Sequence, residues 1–199
     1  DDRQSDGWLA EYGTLHTRGF PNRFDTIITD LELADPRTGV AWTLPELQIL
    51  ALSYKPNHII AVLPPIQTLA SPRQTITITN DKMRGSVVFD PDTALTLNRS
   101  SFELANFGLT SDQGTTTHVR SGKFDTRQSV AVANSHDIAF TALGVTPTKK
   151  LMSALDPAGL LPDVFEALQI NTTIVFDAPW DRFAIEKQWP QITSLDLKL

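Results

Sequence analysis

The four histidines, His16, His58, His118 and His136, have the broadest chemical reach in this 199-residue chain. They stand far apart, with no HxH, HxxxH or HExxH spacing, so a metal centre would need ligands gathered from distant strands. Separate surface or turn positions are the expected reading. Carboxylates approach one another in sequence at Asp30/Glu32 and Asp90/Asp92. A glycosidase pair needs two carboxylates about 5–9 Å apart in a cleft, whereas these flank turns or alternate on a strand. No serine sits in a GxSxG elbow, and no glycines form GxGxxG or GxxxxGK. Cysteine is absent, which removes thiolate catalysis, disulfides and cysteine zinc sites together. The expectation is therefore no catalytic residue, no cofactor and no metal. A hydrolase with an unrecognised site is a remote alternative.

Composition sets wider bounds. Hydrophobic residues make up 41% and charged residues 20% of the chain, as in folded domains with a core. The net charge of −6 argues against nonspecific nucleic-acid binding, which needs a basic footprint. No apolar run reaches the ~20 residues of a membrane-spanning helix.

The elements that would position any site read as strands. Phe24–Leu33, Trp42–Leu52 and Ile59–Leu63 are apolar runs, with turns at Asp35–Gly39 and Lys55–Asn57. Pro45 lies inside the second run and implies a bulge, a strand start or a sheet edge. Ile59–Leu63 does not alternate, which predicts burial on both faces. Thr75–Thr79 alternates strictly and is β-branched throughout, a half-buried strand. Met83–Phe89 follows. Ala94–Leu97 and Phe102–Leu104 read as a hairpin about Asn98–Ser100, and 109–114 as loop. Thr115–Val119, Lys123–Thr126, Ser129–Val132 and Ile138–Leu143 read as further strands. Thr148–Leu155 and Pro162–Gln169 read as short helices; in the second, Leu161, Val164, Phe165 and Leu168 form a stripe at helical spacing. Strand returns over Ile170–Phe176. Leu195, Leu197 and Leu199 alternate to the last residue, an expectation that the native chain continues. The fold class is mainly β: a curved antiparallel sheet, a meander, half-barrel or taco, in a single domain over 1–199 with a helical insert at 148–169.

Several of these segments resemble a family of Gram-negative, mainly alphaproteobacterial, envelope proteins: domain-of-unknown-function family number 2125. The matching residues are Arg18–Asp25, Leu33–Pro36, Ala41-Trp42 with Pro45, Ala51–Ala61, Leu155–Gly159 with Leu161-Pro162, Phe176–Arg182 and Trp189–Gln191. The resemblance implies a periplasmic domain tethered to the inner membrane by an anchor upstream of Asp1. It carries over no catalytic residue. The strand pattern is also similar, by analogy alone, to AsmA-type envelope proteins, which build curved sheets with an apolar concave face and are implicated in phospholipid traffic.

Strands apolar on both parities, at Ile27/Ile28, Ile59/Ile60 and Val87/Val88, suggest an open sheet face that takes a phospholipid or acyl chain. Trp42, Leu47, Ile49, Ile60 and Val62 are the candidate ligand-facing residues. The alternative is a non-catalytic envelope scaffold whose apolar faces are packed internally, with helix 162–169 closing the sheet. An exposed apolar patch well above ~600 Å² would favour the first.

Overall fold

The computed structural model describes residues 9–180 and 191–198. They form one antiparallel sheet of thirteen strands. In chain order these are β1 (Leu9–Glu11), β2 (Leu15–Arg18), β3 (Arg23–Asp35), β4 (Val40–Leu52), β5 (Lys55–Val62), β6 (Ile66–Ala70), β7 (Thr75–Thr79), β8 (Lys82–Phe89), β9 (Leu97–Ser111), β10 (Thr116–Gln128), β11 (Ser135–Thr146), β12 (Phe165–Val175) and β13 (Gln191–Lys198). One helix, α1 (Lys149–Leu155), joins β11 to β12. Thr148 caps it, its hydroxyl accepting from the Leu151 N–H, which satisfies one of the first-turn donors.

The sheet is a meander with one nested excursion. β4 pairs β5 through Gln48–Leu52 and β6 through Ala41–Thr43. β9 likewise pairs β8 through Leu97–Ala105 and β7 through Gly108–Ser111. The β6–β7 hairpin thus fills the space that β5 and β8 leave between β4 and β9.

A transverse crease runs through this division. Asp30 in β3, Asn106 in β9 and Gly144 in β11 have positive φ, of 50°, 47° and 59°. Pro45 stands opposite Asp30, which fits a residue unable to donate to the ladder. Arg120 faces both Asn106 and Gly144. The breaks between β1 and β2, β5 and β6, and β7 and β8 fall on the same line. At Gly144 a Cβ would lie 3.0 Å from the Arg120 Cβ, so left-handed backbone and crowding both call for glycine.

The crease slips the period-two alternation by one residue. In β10 the more covered positions are Thr117 and Val119 before Arg120, then Gly122, Phe124 and Thr126 after it. In β12 they are Phe165, then Leu168 and Ile170. Apolar residues three apart therefore share a face: Ile28/Leu31, Leu44/Leu47, Leu104/Phe107, Ala142/Val145 and Phe165/Leu168. This explains the main departure from the sequence reading. Pro162–Gln169 is not a helix. Phe165 opens β12, and the helix-like Phe165/Leu168 spacing is that of a creased strand.

Other boundaries move for related reasons. β9 runs unbroken through Asn98–Ser100, so no hairpin forms there, and it continues to Ser111. Lys55–Asn57 begins β5, the turn being Ser53-Tyr54. Ser129–Val132 lies in the β10–β11 connection. Ile59–Val62 is half-buried rather than enclosed on both faces.

No second layer covers the sheet among the described residues; the element pairings that hold it are strand to strand. The buried apolar side chains are Leu31, Leu44, Met83, Leu97, Ala142 and Phe176. The chain exposes 12943 Å², against about 9300 Å² expected for a compact protein of its mass.

Candidate functional site

Directly opposed residues in an antiparallel ladder share a face, as do residues two apart. Following the registers across the sheet, Ile49, Ala61, Gly85, Phe102, Phe124, Phe140 and Ile170 form one row. Seven strands at ~4.8 Å spacing make it roughly 29 Å long. On one flank lie Ala51, Ile59, Val87, Ser100, Thr126, Ile138 and Thr172, apolar at its β4–β8 end and, Ile138 apart, hydroxyl-bearing beyond; on the other lie Leu47, Met83, Leu104, Gly122, Ala142 and Leu168. Leu104 sits against Gly122, where a Cβ would come within 3.0 Å of its Cδ1. Past the crease the same face continues with Leu44, Trp42, Leu69, Ile76, Ile78 and Leu109.

A buried polar stitch joins the two halves. The Trp42 Nε1–H donates to Gln67 Oε1 at 3.2 Å. The Gln67 amide in turn donates to Met83 Sδ at 3.3 Å and to the Pro64 carbonyl at 3.4 Å. Asn80 Nδ2 donates to the same carbonyl at 2.9 Å. These bonds satisfy groups that burial would otherwise penalise, and they place Trp42, Gln67 and Met83 on one face.

The opposite face is polar over β8–β12. Lys82 and Arg84 both pair with Glu103, at 2.7 and 2.6 Å, and their hydrogen bonds hold its carboxyl below the usual range. Lys123 pairs with Asp125 at 2.9 Å, and Ser101 donates to Asp125 at 2.8 Å. An open groove of about 820 Å³ runs over Ser101, Lys123, Asp125 and Asn171.

The five residues expected to meet a ligand divide between the faces. Trp42, Leu47 and Ile49 lie on the apolar face. Ile60, opposed to Leu50, and Val62, opposed to Gln48, lie on the other. The sequence reading missed Phe102, Phe124 and Phe140, whose alignment exists only in the pairing. Each stands in a strand whose neighbours alternate with polar residues, which was the available signal.

The histidines stay apart. His16 and His118 are exposed, and His58 Nε2 meets Ser86 Oγ at 2.9 Å. Among the described residues, no three of the histidines and carboxylates form a group that could hold a metal. Asp92 accepts from the Thr96 hydroxyl and N–H, which lowers its pKa.

His136 is 2% exposed, with Nδ1 buried and unpartnered. Its ring meets Phe176 and Trp180 edge-on, at 6.1 and 5.4 Å between centroids. Burial lowers its pKa below 6.5, opposed by the charge of Asp137. The unfolded chain therefore takes up a proton as pH falls through 6.5 while the folded one resists it. Stability is expected to fall as the pH drops from 7 through 6.5 and below. Urea denaturation across that range should show the slope, and His136→Gln should flatten it.

No helix of the described residues is long and apolar enough to cross a membrane. No curated protein and no solved structure matches the chain. Residues 1–199 match a family model whose description is "Uncharacterized protein conserved in bacteria" (DUF2125).

Proposed function

The chain belongs to the DUF2125 family, and from that premise we propose that it binds or passes an acyl chain or phospholipid along the apolar face of its sheet. The observation that supports this is the row from Ile49 to Ile170. It is apolar from end to end, about 29 Å long, and lies under no second layer among the described residues. Each methylene laid on such a face gains up to ~0.8 kcal/mol. The row is about as long as the ~30 Å hydrocarbon core of a bilayer. The protein acts by holding its ligand, not by catalysis. Its proposed setting is the periplasm, tethered to the inner membrane, in keeping with the envelope proteins that its motifs resemble; cell fractionation tests that setting.

Native mass spectrometry of the protein purified without detergent, with lipid extraction alongside, tests the function. A phospholipid or fatty acid retained at defined stoichiometry is expected. A clean apo mass from folded protein would instead favour a scaffold that binds other envelope proteins.

A further inference from the structure

The end of the sheet where the β2–β3 and β4–β5 turns meet carries an aromatic tip. Phe20 is 80% exposed, Tyr54 70% and Phe24 41%. Phe20 and Phe24 are in ring contact, with centroids 6.5 Å apart. The two turns are locked together: the Ser53 N–H and the Ser53 hydroxyl both donate to the Asn22 carbonyl, each at 3.1 Å. The first turn is closed by the Arg23 N–H on the Gly19 carbonyl at 2.9 Å. The aromatics therefore project from a braced platform and are not side chains on a loose loop.

Cations stand on the two turns of the tip, with Asp90 and Asp92 of the β8–β9 turn beyond them at the same end. Arg18, Arg23 and Lys55 flank it, in a protein of net charge −6. The acid among them, Asp25, is buried and paired with Arg23. At the same end of the sheet, the β10–β11 turn exposes Val130 and Val132. Phe24 also stands in register with Ala51, and through it with Ile59 and Val87. The tip is thus continuous with the apolar face.

We infer that this end of the sheet docks on a membrane surface, with Phe20 and Tyr54 entering the interfacial layer and Arg18 and Lys55 meeting anionic headgroups. Aromatic rings are favoured where an apolar body meets wet headgroups. Nearby cations add attraction to an anionic surface. The inference deepens the lipid-face reading, since it makes Phe24 the threshold between bilayer and sheet.

The test is sedimentation of the whole chain with vesicles of phosphatidylglycerol and phosphatidylethanolamine, compared with phosphatidylcholine alone. Wild type is expected to bind the anionic vesicles and to weaken as salt rises. Phe20→Ser/Tyr54→Ser should bind at least about tenfold more weakly. Arg18→Gln/Lys55→Gln should lose the preference for anionic lipid. Both pairs are exposed, so circular dichroism should show the fold intact. Absence of wild-type binding, or binding unchanged in the Phe20/Tyr54 variant, overturns the inference. Phe124→Asp, on the apolar face but several strands from Phe24, should dock like wild type. Failure of ligand retention and failure of docking can therefore be told apart.

Discussion

Replacing Phe124 with aspartate is expected to abolish retention of the proposed acyl ligand while leaving the sheet folded. Phe124 sits at the middle of the apolar row, registered with Phe102 on β9 and Phe140 on β11. It is half-buried, so its carboxylate replacement reaches water in the empty protein. Under a bound chain the same carboxylate loses its hydration without gaining a partner, which costs several kcal/mol. Retention should fall at least ~100-fold, read as loss of the ligand-bound mass, with the far-ultraviolet spectrum unchanged. Ile60→Asp supplies the contrast. Ile60 is equally apolar and one residue from Ile59, but it belongs to the other face, so its substitution should leave retention within about twofold. Loss of ligand in both variants, or in neither, would rule out binding confined to the apolar face.

Truncating Leu44 to alanine should be the most destabilising change of a single apolar side chain. Leu44 is 0% exposed, beside the crease, with Leu31 opposed to it. Leu→Ala at enclosed sites costs 2–5 kcal/mol through lost transfer energy and the remaining cavity; about 3 kcal/mol is expected here. Domains of this kind hold only 5–15 kcal/mol in all, and few apolar side chains in this sheet are fully enclosed. Urea denaturation followed by tryptophan fluorescence measures it. A loss below about 1 kcal/mol would mean that the site collapses around the gap.

Much of the fold was legible as strands because local chemistry decides it. Thr75–Thr79 alternates and is β-branched, and it is β7 to the residue. Asp35–Gly39 turns because Gly39 takes positive φ. Pro45 marked an irregularity, and it faces Asp30 across the crease. The crease itself was not legible. Nothing in Asn106 or Gly144 alone shows that they align with Asp30, since that alignment exists only after pairing. Its effect on periodicity was visible but ambiguous: Phe165 and Leu168, three apart, fit a helix turn as well as a slipped strand. The same gap explains the site. Trp42, Leu47 and Ile49 lie on one strand, where parity and the proline indicate a common face. Ile60 and Val62 lie on the next strand, and their face depends on register with Leu50 and Gln48, which the sequence does not fix.

The order of the strands also bears on how the molecule comes apart. Registered partners are close in the chain; even the most distant, Ser135 and Val175, belong to consecutive strands. Stability is then close to a sum of neighbour terms, as in a repeat protein, and not the property of one enclosed centre. Such a ladder opens from its margins, so unfolding should be graded: amide protons of β1, β2 and β13 exchange first and those of β4 and β9 last. The bond from the Leu97 N–H to the Trp180 carbonyl works against that order by tying the chain after β12 back to β9. A cut between β12 and that strap would loosen the far margin without disturbing β3–β6, and the two halves would melt as separate cooperative units.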